Sequence, residues 1–99
     1  MRLPPAYVDA IKASAGEAFG QAAVVRLFGS RVRDDLLGGD IDLHIETDPL
    51  ADERRARGTF EDALFRRIEP QKVDVIVTQR GVGTPRGFER IAYRDGIVL

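Results

Sequence analysis

Three aspartates in two short segments are the residues of this sequence best suited to chemistry. Asp40 and Asp42 form an Asp-x-Asp pair in DIDLHIE, and Asp74 lies in VDVIVT. Carboxylates two positions apart on a strand project from one face about 6.5 Å apart, so they repel unless a cation lies between them. Carboxylate oxygens are the ligands that Mg²⁺ and Mn²⁺ prefer. If the three groups converge, they predict a site for two divalent ions, an arrangement that serves phosphoryl or nucleotidyl transfer.

The segment that carries Asp40 and Asp42 has the clearest periodicity in the chain. Residues 40–46 alternate strictly, with three aliphatic side chains on one face and four ionisable ones on the other. This alternation predicts a strand whose aliphatic face is buried. The ionisable face is then either solvated or a cation site. On that face we expect His44 to be solvated or hydrogen-bonded and Glu46 to lie at the surface.

The third aspartate interrupts a run of residues that otherwise fits a buried strand. Three valines share one face of residues 73–78, and Asp74 lies on the other face of an otherwise apolar segment. A carboxylate inside a buried strand destabilises the fold unless it is paired or coordinated. If this strand lies beside the one at residues 40–46, Asp74 can join the other two carboxylates.

A Gly-Ser pair follows the apolar run AVVRLF, which is predicted to form a further strand. Glycine lets a phosphate approach the backbone, and free N–H groups with the hydroxyl of Ser30 can hold its oxygens. Taken alone, Gly29 and Ser30 form no more than an ordinary strand-ending turn. Their position ahead of the Asp-x-Asp strand makes the combination more specific.

The stretch LFGSRVRDDLLGGDIDLHIE resembles the signature of the polymerase-beta-like nucleotidyltransferase superfamily, a Gly-Ser followed by a loop and then Asp-x-Asp on a strand. The resemblance implies that the three aspartates are catalytic and hold the metal ions. It implies that Gly29, Ser30 and Arg31 hold the triphosphate of the nucleotide. Some relatives have Arg followed by Gly further into the loop, whereas this chain has Arg33 followed by Asp34, so the role of Arg33 stays open.

A chain of this size resembles a minimal nucleotidyltransferase of that superfamily. The resemblance implies two Mg²⁺ or Mn²⁺ ions and transfer of AMP from ATP, or of another nucleoside monophosphate, to a hydroxyl acceptor that can include nucleic acid. Minimal members often act with a separately encoded helical protein, either a substrate-binding subunit or a toxin that they neutralise as the antitoxin. The alternative is a catalytically inactive fold that serves as a protein-binding module or as a nucleotide or cation sensor.

Composition excludes several other classes of protein. The 99 residues predict one domain over residues 1–99, and the absence of Cys excludes disulfide scaffolds and thiolate chemistry. A single His excludes a His-rich zinc site, and a net charge of −1 provides no general attraction for a polyanion. No apolar run is long enough to span a membrane, which favours the cytoplasm.

Helical and strand patterns alternate along the chain. Helices are predicted at residues 5–19, 50–68 and 88–96, strands at 23–28, 40–46 and 73–78, a loop or short helix at 31–39, and a C-terminal tail that packs on or pairs with the sheet. The expected fold class is α/β (α+β), with a small mixed β-sheet flanked by helices.

Overall fold

The structure is a computed structural model that describes residues 3–29, 40–83 and 87–99. In these residues the chain forms three helices and four strands. The loop or helix predicted at 31–39 lies outside these residues, as do Ser30, Arg31 and Arg33. The elements are α1 (Pro5–Phe19), β1 (Val24–Phe28), β2 (Ile41–Thr47), α2 (Glu53–Phe65), β3 (Val73–Gln79), α3 (Gly87–Asp95) and β4 (Ile97–Val98).

The four strands form one mixed sheet in the order β3-β2-β1-β4. Strand β1 pairs antiparallel with both β2 and β4, whereas β2 and β3 are parallel. Parallel neighbours need a long crossover connection, and α2 provides it. The predicted α+β class with a small mixed sheet is therefore confirmed, and the predicted C-terminal tail pairs with the sheet as β4.

The hydrophobic core lies between one face of the sheet and helices α1 and α2. The aliphatic residues predicted to face inward from β2 (Ile41, Leu43 and Ile45) are fully buried. Leu27 of β1 and Phe60 of α2 pack into the same cluster. Burial of alternate residues on β2 follows from the pleat of the strand, which points successive side chains to opposite faces.

Helix α3 lies on the other face of the sheet. Its Tyr93 ring contacts His44 of β2 edge-on, with ring centroids 4.8 Å apart, and the Arg26 guanidinium of β1 lies 4.6 Å from the Tyr93 centroid. The ionisable face of β2 is therefore partly covered by a helix. In the described part of the chain, no helix is long and apolar enough to span a membrane.

Candidate functional site

The register between β2 and β3 brings two of the predicted site aspartates side by side. Asp42 is the pairing partner of Asp74, and Ile41 is the partner of Val73. In a parallel pair, partners in register project from the same face of the sheet. The strand pairing therefore joins carboxylates that are 32 positions apart in the sequence. Asp40 lies immediately before β2, one pleat further along this face.

Asp42 is the carboxylate that its surroundings perturb most clearly in this cluster. Partial burial raises its pKa, and repulsion by Asp74, a hydrogen bond shared with Asp74, and repulsion by Asp40 raise it further. Lys72 acts in the opposite direction and lowers it. Asp42 thus lies among like charges in a half-buried position, which disfavours its ionised form.

Asp74 is exposed, although the apolar run around it predicts a buried carboxylate. That expectation is wrong because β3 is an edge strand of the sheet. Ile76, two residues beyond Asp74 on the same face, is only half-buried. An edge strand gains burial from one neighbouring strand only, so a valine-rich sequence does not guarantee that each of its positions is buried.

Gly29 follows the last residue of β1 and lies beside the Asp42 carboxylate. Its φ of +77° lies in the left-handed region, which L side chains rarely adopt. A Cβ at this position would overlap the Asp42 carboxylate. Both observations explain glycine here, and its backbone therefore lies directly against the carboxylate cluster. Gly29 is brought to the site, whereas its predicted companions Ser30 and Arg31 lie outside the described residues.

Lys72 is a member of this cluster that the sequence analysis did not identify. Its Nζ lies 3.4 Å from Asp40 Oδ2. The signal was available, because Lys72 precedes Asp74 by two positions and alternate residues of a strand share a face. The sequence alone does not give the strand register, and it is this register that places Lys72 opposite Asp40.

The ionisable face of β2 continues into a second cluster beneath α3. His44 is fully buried, and its Nε2 lies 2.8 Å from Thr78 Oγ1. Of the two expectations for His44, the hydrogen-bonded one is therefore correct and the solvated one is not. Its Nδ1 has no hydrogen-bond partner among residues 3–29, 40–83 and 87–99. Burial lowers the pKa of His44, and the charge of Arg26 lowers it further. The imidazole is therefore favoured in its neutral form.

Glu46 does not lie free at the surface as expected. Its side chain is 18% exposed and accepts hydrogen bonds from Arg26 at 2.8 Å and from Arg80 at 2.7 Å. Arg80 also donates to Asp48 and to the carbonyl oxygen of Ala22. These arginines come from β1 and from the residue after β3, so the ion-pair cluster ties three strands together.

The carboxylate cluster supplies oxygen donors of the chemical type that a hard divalent cation binds. Asp42 and Asp74 are in contact and repel each other, and with Asp40 and Lys72 they carry a formal charge of −2 when all four are ionised. Oxygen donors of this kind suit Mg²⁺ or Mn²⁺. In the described part of the chain, however, no three acidic or histidine side chains are arranged around one metal position. Asp40 is paired with Lys72 instead.

Comparison with known proteins identifies the family of this chain. Residues 8–95 match the family model described as a nucleotidyltransferase domain. The matched region runs from α1 to the end of α3 and includes all three aspartates. No curated protein gives a significant match to the sequence.

Proposed function

Because this chain belongs to the nucleotidyltransferase domain family, we propose that it transfers AMP from ATP to a hydroxyl group of an acceptor. The observation that carries the proposal is the register of β2 and β3, which pairs Asp42 with Asp74 beside the backbone of Gly29. Carboxylates next to the exposed backbone of a glycine suit a reaction at a phosphate group.

In this reaction the acceptor oxygen forms a bond to the α-phosphorus of ATP. The bond between that phosphorus and the oxygen bridging to the β-phosphorus breaks, and pyrophosphate leaves with the electron pair. The hydroxyl proton must go to a base. Asp74 is exposed and belongs to the edge strand of the cluster. We therefore assign it two roles, which are to orient the acceptor hydroxyl and to accept the proton of that hydroxyl.

The remaining residues hold the donor and its charge. Asp40, Asp42 and Asp74 would hold two Mg²⁺ or Mn²⁺ ions, which would supply positive charge where negative charge develops in the transfer. Gly29, lacking a side chain, leaves its backbone accessible to the triphosphate beside Asp42. The resemblance implies that Ser30 and Arg31 also hold the triphosphate.

We further propose that the acceptor is provided by a separately encoded helical protein. Resemblance to minimal nucleotidyltransferases suggests a substrate-binding subunit or a toxin, in which case this chain is the antitoxin and adenylylates a tyrosine of the toxin in the cytoplasm. Exposed apolar side chains are available for such a contact, among them Ile91 of α3 at 44% and Val82 at 56% exposure.

Transfer of label from [α-³²P]ATP tests the proposal. The protein is incubated with Mg²⁺, with and without the product of the adjacent gene, and labelled acceptors are separated on a gel. Asp42→Asn and Asp74→Asn should each lower the rate by at least about a hundredfold. Asp62→Asn, at an exposed position of α2, serves as the charge control and should react as the parent does.

Two outcomes would overturn the proposal. Parent-like transfer by Asp42→Asn would exclude catalysis at this cluster. Absence of transfer by the parent with every acceptor, combined with a stable complex with the adjacent gene product, would favour the inactive binding module instead.

A further inference from the structure

Four charged side chains form an array of two neighbouring pairs at the start of β2 and β3, namely Asp40 with Lys72 and Asp42 with Asp74. Extending the register by one residue sets Asp40 opposite Lys72, next to the pair of Asp42 and Asp74. The backbone of Lys72 is held there, because its carbonyl oxygen accepts a hydrogen bond from the Ile41 N–H at 3.3 Å. From this array we infer that the Lys72 ammonium group is the resident counter-cation of the site, which a divalent metal must displace from Asp40.

The contacts of Asp40 support this inference. Its Oδ2 lies 3.4 Å from Lys72 Nζ, and the charge of Lys72 also reaches Asp42, where it opposes the repulsion by the other two carboxylates. Within the described residues, Asp40 is not grouped with two other acidic side chains around a metal position. Participation of Asp40 in metal binding, which the proposed function requires, therefore means that Asp40 exchanges Lys72 for the metal.

The chemistry of the two cations favours this exchange. The side chains of Lys72 and Asp40 are 68% and 47% exposed, and ion pairs this accessible to water are weak. Lysine presents a compact charge on a flexible stem, so its ammonium group can move into solvent while the backbone stays in the sheet. A divalent ion has twice the charge and binds several carboxylate oxygens at once. Lys72 thus reduces repulsion in the metal-free protein and lowers its affinity for metal.

Binding of Mn²⁺ alone to the full chain tests the inference, with free Mn²⁺ measured by electron paramagnetic resonance at low ionic strength. Lys72→Met removes the charge and keeps most of the stem. It should lower the Kd for Mn²⁺ by about two- to fivefold, the strength of an exposed ion pair. Its metal-free Tm should be lower than that of the parent, and the rise in Tm on adding Mn²⁺ should be larger.

Two matched variants separate this effect from a general change of charge. Lys72→Arg keeps the charge and can form a forked pair with Asp40, so it should bind Mn²⁺ no more tightly than the parent. Lys12→Met removes the only other lysine of the chain, which is exposed on α1, and should leave the Kd unchanged. In an Asp40→Asn background, the gain from Lys72→Met should largely disappear, because the pair is already absent.

The outcomes distinguish this inference from the proposed function. If the parent binds Mn²⁺ and Lys72→Met binds it equally or more weakly, the counter-cation role is wrong while nucleotidyl transfer still stands. An equal gain from Lys72→Met with and without Asp40 would likewise refute displacement from Asp40. If the predicted changes in Kd occur but no acceptor is labelled from ATP, the inference stands and the proposed function fails. A parent that binds no Mn²⁺ at millimolar concentration overturns both.

Discussion

Replacement of Glu46 by glutamine is expected to destabilise the protein in a way that depends on pH. The carboxylate accepts hydrogen bonds from Arg26 and Arg80, and the three side chains are 18%, 16% and 32% exposed. Glutamine keeps the shape of the side chain and one acceptor oxygen but removes the negative charge. Arg26 and Arg80 then each lose the charge of Glu46 at a position partly shielded from water, which destabilises the folded state.

The size of the effect follows from the two charge-assisted hydrogen bonds. Each such bond contributes about 1.5–3 kcal/mol to stability, and a neutral acceptor retains roughly half of this. Arg80 keeps its hydrogen bonds to Asp48 and to the carbonyl oxygen of Ala22. We therefore expect Glu46→Gln to lower the free energy of unfolding by about 2 kcal/mol at pH 7, or the Tm by about 8–16 °C for a domain of this size.

The direction of the pH dependence follows from the pKa of Glu46. Burial alone would raise it, but the hydrogen bonds from Arg26 and Arg80 outweigh burial and hold the pKa below its ordinary value of 4.5. Between the folded and the unfolded pKa, the unfolded chain binds more protons, so stability falls as the pH falls. The contribution of the ionised Glu46 is fully present above the unfolded pKa. The difference between parent and variant should therefore shrink as the pH falls below about 4.5.

Urea unfolding followed by circular dichroism, without metal and between pH 3 and 8, measures this difference wherever both proteins are folded. Glu17→Gln is the matched control, because Glu17 also accepts hydrogen bonds from two arginines, Arg66 and Arg67, but its side chain is 42% exposed. That variant should lose clearly less stability than Glu46→Gln, because water screens its ion pairs. The reasoning is refuted if Glu46→Gln loses no more than Glu17→Gln at pH 7, or if its loss stays constant as the pH falls to 3.

Three further variants have effects that thermal unfolding of the metal-free protein can measure. Asp42→Asn removes a carboxylate from among like charges and should raise the Tm by a few degrees, if about 1 kcal/mol survives screening by solvent; a lower Tm would contradict the repulsion. Gly29→Ala should lose at least about 1–2 kcal/mol, because its φ is left-handed and its Cβ overlaps the Asp42 carboxylate; an unchanged Tm would be inconsistent with this geometry. Phe60→Ala should lose about 3–5 kcal/mol, since the ring is 2% exposed and packs 5.9 Å from that of Phe19; a loss below about 1 kcal/mol would argue against its place in the core.

The sequence by itself determined most of the elements and the face of β2 that enters the aliphatic core. Alternation in residues 40–46 predicts the fully buried positions of Ile41, Leu43 and Ile45. The helix predicted to open at Pro4-Pro5 and to stop at Gly20 is α1 (Pro5–Phe19), whereas α2 (Glu53–Phe65) is shorter than the predicted helix from about residue 50 to 68. These features depend on periodicity and end signals within a few residues, so a local pattern is sufficient to predict them.

Only the tertiary structure decided which side chains meet. The pairing of Asp42 with Asp74 was predicted on the condition that their strands are neighbours, but the place of Lys72 opposite Asp40 depends on the register of that pairing. The position of β3 at the edge of the sheet exposes Asp74, and the docking of α3 buries His44. The strand register, the strand order and the docking of the helix depend on the apolar area buried over the whole sheet. A short segment of the sequence carries no information about that total.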